Sequence, residues 1–184
     1  MIEIGFKKIE LEDKDLITHY FKHHTSRSCE RTFVNVYLWA RFYHVKFAEV
    51  EHTLVFRTED EDGFSFAYPA GEPENVRKAL DVLMVYSKER GVPFLMYTVT
   101  PDNFEYLEKW YPGRFEIEYV EGDADYVYES EKLATLSGKK LHSKRNHVNK
   151  FKIVYADRWS YEPISEDNLE ECVQTGLKWR NENG

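Results

Sequence analysis

The period of apolar and polar positions changes several times along the chain, and each change predicts an element. Over Ile2–Ile9, Ile2, Ile4 and Phe6 alternate with Glu3, Gly5 and Lys7, which predicts a strand. Asp13 or a neighbour can cap a helix to about Lys22, in which Leu16, Ile17, Tyr20 and Phe21 recur at helical spacing. After a polar break at His23–Ser28, the stretch Cys29–Phe42 repeats that spacing, with Phe33, Val36, Tyr37 and Ala40 on one side. Three β-branched or aromatic runs follow, Val45–Val50, Thr53–Arg57 and Phe64–Tyr68. The turns between them, Glu51-His52 and Thr58–Gly63, suit an antiparallel meander.

Pro69–Asn75 is turn-rich, and Asn75–Arg90 predicts an amphipathic helix with Val76, Leu80, Leu83 and Met84 inside and Gly91 just past its end. Phe94–Thr98 is a short apolar run of the kind buried on both faces of a sheet. Thr100-Pro101 opens another helix, with Phe104, Leu107 and Trp110 inside, and Pro112-Gly113 stops it. Phe115–Val120 and Asp125–Glu129 predict a hairpin around Glu121–Asp123. The order β-α-α-β-β-β-α-β-α-β-β over residues 2–129 places the chain in the α/β (α+β) class, with a mixed, mostly antiparallel sheet flanked by helices.

Length and composition set limits on this picture. The chain has 184 residues, one domain and a remainder too short for a second independent core. With 42% hydrophobic and 16% aromatic residues it can build a core, which excludes wholesale disorder. No window approaches 18 uninterrupted apolar residues, so no transmembrane segment is expected. Glu3, Glu10, Glu12, Asp13 and Asp15 are incompatible with a signal peptide. Cys29 and Cys172 lack metal-ligand spacing and fit a reducing cytoplasm.

Charge changes the picture more. The net charge of −8 argues against binding nucleic acid over the whole surface. Yet Lys132–Ala156 holds seven basic residues and no acidic one, leaving a net of −15 on the rest. Ser137 is a candidate N-cap for a helix to about Lys152, with Leu141, Val148 and Phe151 on one stripe. Lys140, Lys144 and His147 form a polar row, with Arg145, Asn149 and Lys152 beside it. Charge runs are commonly solvated faces, and this one can simply balance an acidic chain. The sharper reading is an anion site built from Lys139, Lys140, Lys144, Arg145, Asn149 and Lys150. Arg145 would supply a bidentate fork and the lysines point charges, with backbone N–H groups at Ser137-Gly138.

Beyond this helix, Trp159–Ile164 predicts a strand, and Ser165 caps a helix from Glu166 to about Arg180. Phe6–Ile9 followed by Leu11–Leu16 matches Tyr161–Ile164 followed by Ser165–Leu169 in type: an aromatic-led strand, isoleucine, an acidic helix start, leucine. This reads as an internal repeat, giving a first domain at 1–130, a basic connecting helix at 131–156 and the start of an incomplete second repeat at 157–184. On this reading the chain stops in mid-domain.

The run Ser137-Gly138-Lys139-Lys140-Leu141-His142-Ser143-Lys144-Arg145-Asn146-His147-Val148-Asn149-Lys150-Phe151 resembles the signature of the family of the phosphatidylglycerol lysyltransferase C-terminal domain. Tyr161–Leu169, Ser28-Cys29-Glu30-Arg31-Thr32-Phe33 and the following Trp39 also stand where that family has them. The resemblance implies two GNAT-type acyltransferase folds in tandem, in a longer chain. The lysyltransferases move an aminoacyl group from tRNA to a lipid head group, and peptidoglycan-bridge aminoacyl transferases share the plan. It implies an anionic partner, whether aminoacyl-tRNA, nucleotide or lipid head group, with acid/base groups supplied by the second repeat. The chain alone would then be inactive. The alternative is a degenerate, non-catalytic GNAT-like binding or scaffold module, or a homo-oligomer in which the last helix docks on a second copy.

A GNAT domain that uses acyl-CoA has a Gln/Arg-x-x-Gly-x-Gly/Ala loop between its fourth strand and third helix. The segment at that place is Tyr68-Pro69-Ala70-Gly71-Glu72-Pro73-Glu74-Asn75. Two prolines remove N–H donors and two glutamates repel phosphate, so no CoA cofactor is expected. His19, His23 and His24 lie at helical spacing, but no Cys, Asp or Glu completes a zinc set, and no metal is expected. No Gly-x-Ser-x-Gly elbow exists and Cys29 has no evident paired histidine, so a nucleophile is not identified. The acidic run Glu59–Asp62 reads as a solvated hairpin tip.

Overall fold

The computed structural model describes residues 1–22, 26, 28–61 and 63–183. It divides into two units, Met1–Asp125 and Tyr126–Gly184.

Among the described residues of the first unit, five strands form one sheet in the order β1 (Lys7–Lys8), β2 (Lys46–Val50), β3 (Thr53–Asp60), β4 (Gly63–Ala67) and β5 (Met96–Tyr97). The first four pair antiparallel and β4 pairs with β5 in parallel, so the sheet is mixed and mostly antiparallel, as the sequence predicts. The β2–β3 turn is Glu51-His52, with φ of 49° and 57°. Two left-handed residues give the turn a twist that matches the strands, at a steric cost for residues other than glycine.

Period two sends alternate residues of the sheet to opposite faces. Phe47, Leu54, Phe56 and Ala67 pack with Ile17, Phe21, Phe33 and Val36, from α1 (Lys14–Phe21) and α2 (Phe33–Trp39). Ala48, Val50, Val55 and Phe66 pack with Ala79, Leu83 and Tyr86 of α3 (Pro73–Glu89). A third cluster joins Val76 and Leu80 of α3 to Leu107 of α4 (Pro101–Trp110) and to Tyr68 and Tyr111. Both faces of β3 are therefore covered, and Thr53–Arg57 is buried without a break.

Local chemistry accounts for the boundaries. Thr32 leaves the helical region at φ −123° and accepts a hydrogen bond from Asn35 N, so Cys29–Phe42 becomes a 3₁₀ turn at Cys29–Arg31 followed by α2. Thr100 and Asn103 form a capping box with Pro101 at the first position of α4. The predicted first strand shrinks to Lys7–Lys8, although Ile2, Ile4 and Phe6 do face the α3 cluster.

Two predicted pairings do not form. Phe115–Val120 and Asp125–Glu129 carry no strand hydrogen bonds among the described residues; a 3₁₀ turn at Glu121–Asp123 stands between them. Alternation makes a segment fit for a sheet, but a ladder needs a partner edge, and here only Phe115 packs, against Phe94 and Tyr111. Trp159–Ile164 is likewise unpaired.

The second unit consists of α5 (Ser130–Thr135), α6 (His142–Tyr155) and α7 (Leu169–Asn183). The α6 helix starts later than predicted. Ser137 makes no cap; Gly138, at φ 89°, leads into a 3₁₀ turn at Lys139–Leu141. The glycine is required there because the backbone enters the left-handed region. Phe151 contacts Tyr155 and Trp159, yet no described residue from 126 to 183 is buried.

Candidate functional site

The cations expected to form one ridge are distributed around α6. Lys139 and Lys140 belong to the 3₁₀ turn, and Lys144, Asn149 and Lys150 are exposed on the helix. At about 100° per residue, Arg145, Asn149 and Lys152 share a face, Lys144 sits over Phe151, and Lys150 lies roughly 120° from Lys144. Arg145 is half-buried and turned inward: Nη1 donates to the Leu136 carbonyl, and Nη2 is 3.3 Å from His142 Nδ1. Leu136 is itself left-handed, at φ 49°, so Arg145 holds the end of α5. Lys132 pairs with Glu129 at 2.9 Å, whereas no ion pair engages Lys139, Lys140, Lys144 or Lys150 among the described residues.

In the first unit, the loop between β4 and α3 is tied to the sheet. Ala70 N donates to Leu54 O at 2.9 Å and Leu54 N to Ala70 O at 2.8 Å. Gly71 is required by close approach, since a Cβ there would lie 2.8 Å from Thr53 Cγ2. Glu72 is the N-cap of α3 without a side-chain cap, and Pro73 follows. The groove beside this loop, about 660 Å³, is lined by Glu72, Asp102, Glu105 and Tyr106, with Lys109 its one cation among the described residues. Three carboxylates against one ammonium oppose a phosphate.

A second, far narrower recess, about 30 Å³, lies between α2 and the sheet. Asn35, Trp39 and Tyr43 line it from the α2 side, Phe56 and Tyr97 from the sheet, and Arg31 enters from the 3₁₀ turn. Arg31 Nη2 donates to Tyr68 O at 2.8 Å and approaches Thr98 Oγ1 at 3.5 Å, with the guanidinium 5.8 Å from the Phe21 ring. Burial lowers its pKa. The sequence flags Arg31 within a motif without giving it a role; Thr98 and Tyr97 carry no signal in the sequence that singles them out.

Cys29 and Cys172 are free thiols. Burial pushes the Cys29 thiol up, and Asp125 beside it adds to the effect, the opposite of the depression that activates a cysteine. His23 and His24 lie outside the described residues; among those described no group of three metal-ligating side chains occurs. No described helix is long and apolar enough to cross a membrane.

Comparison with known proteins adds family context. The family model described as phosphatidylglycerol lysyltransferase, C-terminal, matches residues 21–184. An uncharacterized protein of Mycoplasmoides gallisepticum is 32% identical over 75 residues, which is 40% of this chain and 24% of that protein. A crystal structure from Bacteroides thetaiotaomicron, described as a conserved protein of unknown function, matches with a TM-score of 0.82 at 32% identity. That match covers 98% of this chain and 60% of the crystallised one, so the chain spans less than two thirds of either relative.

Proposed function

The chain belongs to the phosphatidylglycerol lysyltransferase C-terminal family, and from that premise we propose that it is the leading part of an aminoacyl or acyl transferase of tandem GNAT-type plan. In this reading residues 1–130 form the first repeat, 131–156 connect, and 157–184 open the second, which supplies the acid/base groups. The basic segment around α6 meets the anionic substrate: the phosphates of an aminoacyl-tRNA or nucleotide, or a lipid head group.

One observation carries the reading: Lys139, Lys140, Lys144 and Lys150 are exposed, engaged in no ion pair among the described residues, and lie in a stretch without carboxylates. Lysines in this state bind phosphate as point charges. Arg145, bonded to Leu136 O, ties the end of α5 to the helix that carries Lys144 and Lys150. Replacing Lys140, Lys144 and Lys150 by alanine in the full-length protein should weaken binding of tRNA or of anionic vesicles about tenfold or more and flatten its salt dependence. Unchanged affinity for tRNA, nucleotide and anionic lipid alike would remove the phosphate role.

The second reading is a non-catalytic binding or scaffold module. The loop at Tyr68–Asn75 favours it, with prolines where phosphate-binding N–H groups would stand and an acidic groove alongside. CoA titrated into the full-length protein and bound between β4 and α3 would refute that reading.

A further inference from the structure

Helix α2 and the turn after it are apolar on both sides. Between Phe33 and Tyr43 the strongly polar residues are Asn35 and Arg41 alone. Phe33, Val36 and Ala40 are buried against the sheet. The opposite side stands in water: Val34 is 61% exposed, Leu38 65% and Phe42 71%, with Tyr37, Trp39 and Tyr43 exposed beside them. A helix that is apolar all round needs a cover on each side, and a contiguous apolar patch marks a place where one arrives. The patch is preformed. Phe42 N and Tyr43 N both donate to Trp39 O at 3.0 Å, and Val45 N donates to Ala40 O at 2.8 Å, which fixes the turn. Phe42 and Tyr43 meet edge to face with ring centroids 4.9 Å apart, and the Trp39 ring lies 6.0 and 5.9 Å from them. Covering such a cluster costs little further ordering.

Shape and charge select the occupant. The recess bordering Trp39 and Tyr43, about 30 Å³, has space for one water, so a protein partner finds no socket there for an anchoring side chain. The patch is instead a knob. Tyr37, Trp39 and Tyr43 each join an apolar body to a polar tip, the combination that settles at the level of lipid head groups. From Arg31 to Ala48 the chain carries Arg31, Arg41 and Lys46 and no carboxylate, within a protein of net charge −8. Arg41 is exposed and in no ion pair among the described residues. An anionic bilayer surface attracts a segment of this charge and repels acidic ones, which orients the patch towards it.

We propose that the outer side of α2 and the turn at Ala40–His44 seat the protein on an anionic lipid bilayer, with Leu38, Trp39 and Phe42 inserted at the head-group boundary and Arg41 on the phosphates. The surface is separate from the α6 lysines and independent of the transferase reading. The full chain is sedimented with vesicles of phosphatidylcholine alone and of equal parts phosphatidylcholine and phosphatidylglycerol. The mixed vesicles should bind it more tightly, and part of that binding should survive high salt, because apolar insertion is not screened. Leu38→Asp with Phe42→Asp should weaken binding about tenfold or more, whereas Leu38→Met with Phe42→Leu should keep it. Arg41→Ser should cost about fivefold on the mixed vesicles and nothing on phosphatidylcholine. Brominated acyl chains should quench the fluorescence of the parent chain more than that of Trp39→Phe; these last two variants decide the question should the double aspartate variant misfold. Replacing Lys140, Lys144 and Lys150 by alanine should leave the salt-resistant binding unchanged. Its loss in that variant would move membrane attachment to α6 and overturn this proposal alone. No binding to either vesicle, binding indifferent to the α2 substitutions, or a dimer of the free protein that the double aspartate variant dissociates would each overturn it as well.

Discussion

At the scale of single residues, the strongest constraints sit at tight backbone positions. Glu51 and His52 occupy left-handed conformations that asparagine and glycine adopt with less strain. The double substitution Glu51→Asn, His52→Gly should therefore raise unfolding stability by about 1 kcal/mol, read from urea denaturation. Gly71 is the converse case. Its missing Cβ leaves room for the methyl of Thr53, which is itself buried and donates its hydroxyl to Val50 O at 2.7 Å, so it cannot swing away freely. Gly71→Ala should cost about 1–3 kcal/mol, and a Tm unchanged from the parent would contradict that packing. The Glu51-His52 turn is readable in the sequence from its place between two apolar runs. The demand on Gly71 is not, because it arises from a residue 18 positions away across a bridge.

Elements are held by charges and caps whose sequence signals are local. Between β1 and α1, Asp13 accepts Glu10 N at 2.9 Å and Lys7 Nζ at 2.6 Å. Burial would raise its pKa, but Lys7 and the Glu10 N–H outweigh this and hold it below the ordinary carboxylate value of 3.8. A depressed carboxylate contributes stability above its unfolded pKa and loses it as pH falls through the folded value. The protein should accordingly lose stability as pH falls below about 4, and Asp13→Asn should be less stable at neutral pH with a flatter acid limb, as followed by denaturant titrations across pH. At the alkaline end the sign reverses. Burial pushes Tyr68 up to about 12, and burial with Glu49 does the same for Tyr20. The folded state then keeps protons the unfolded chain releases above its Tyr pKa of 10.0, so stability should fall between about pH 10 and 12. Tyr68→Phe should make that fall shallower. Helices α3 and α4 carry such local signals in Gly91, Thr100 and Pro101 and match the sequence closely. The segments Phe115–Val120 and Trp159–Ile164 have the composition of strands without a partner edge, and composition alone does not provide one.

The whole molecule is uneven in both charge and burial. The net of −8 is the sum of +7 on Lys132–Ala156 and −15 on the rest of the chain, and every buried residue among those described lies in Met1–Asp125. Stability in solution should follow burial. A truncation to residues 1–125 should unfold cooperatively by circular dichroism, whereas residues 126–184 alone should show no cooperative transition. A cooperative transition in the latter would mean that its helices bury a core the present structure does not show.

The sequence by itself determined the class, the order of elements through α4, the basic segment and the family motifs. All of these are written in spacing along one dimension: period two, period 3.6, caps, and runs of one charge. Only the tertiary structure decided where Arg145 points, that Phe115–Val120 stays unpaired, and that Arg31 lies half-buried beside Tyr68 and Thr98. These depend on partners distant in sequence. Arg31 meets Tyr68 37 positions away and Thr98 67 positions away. No local pattern encodes such pairs, because the free energy that brings them together belongs to the packed sheet and helices as a whole.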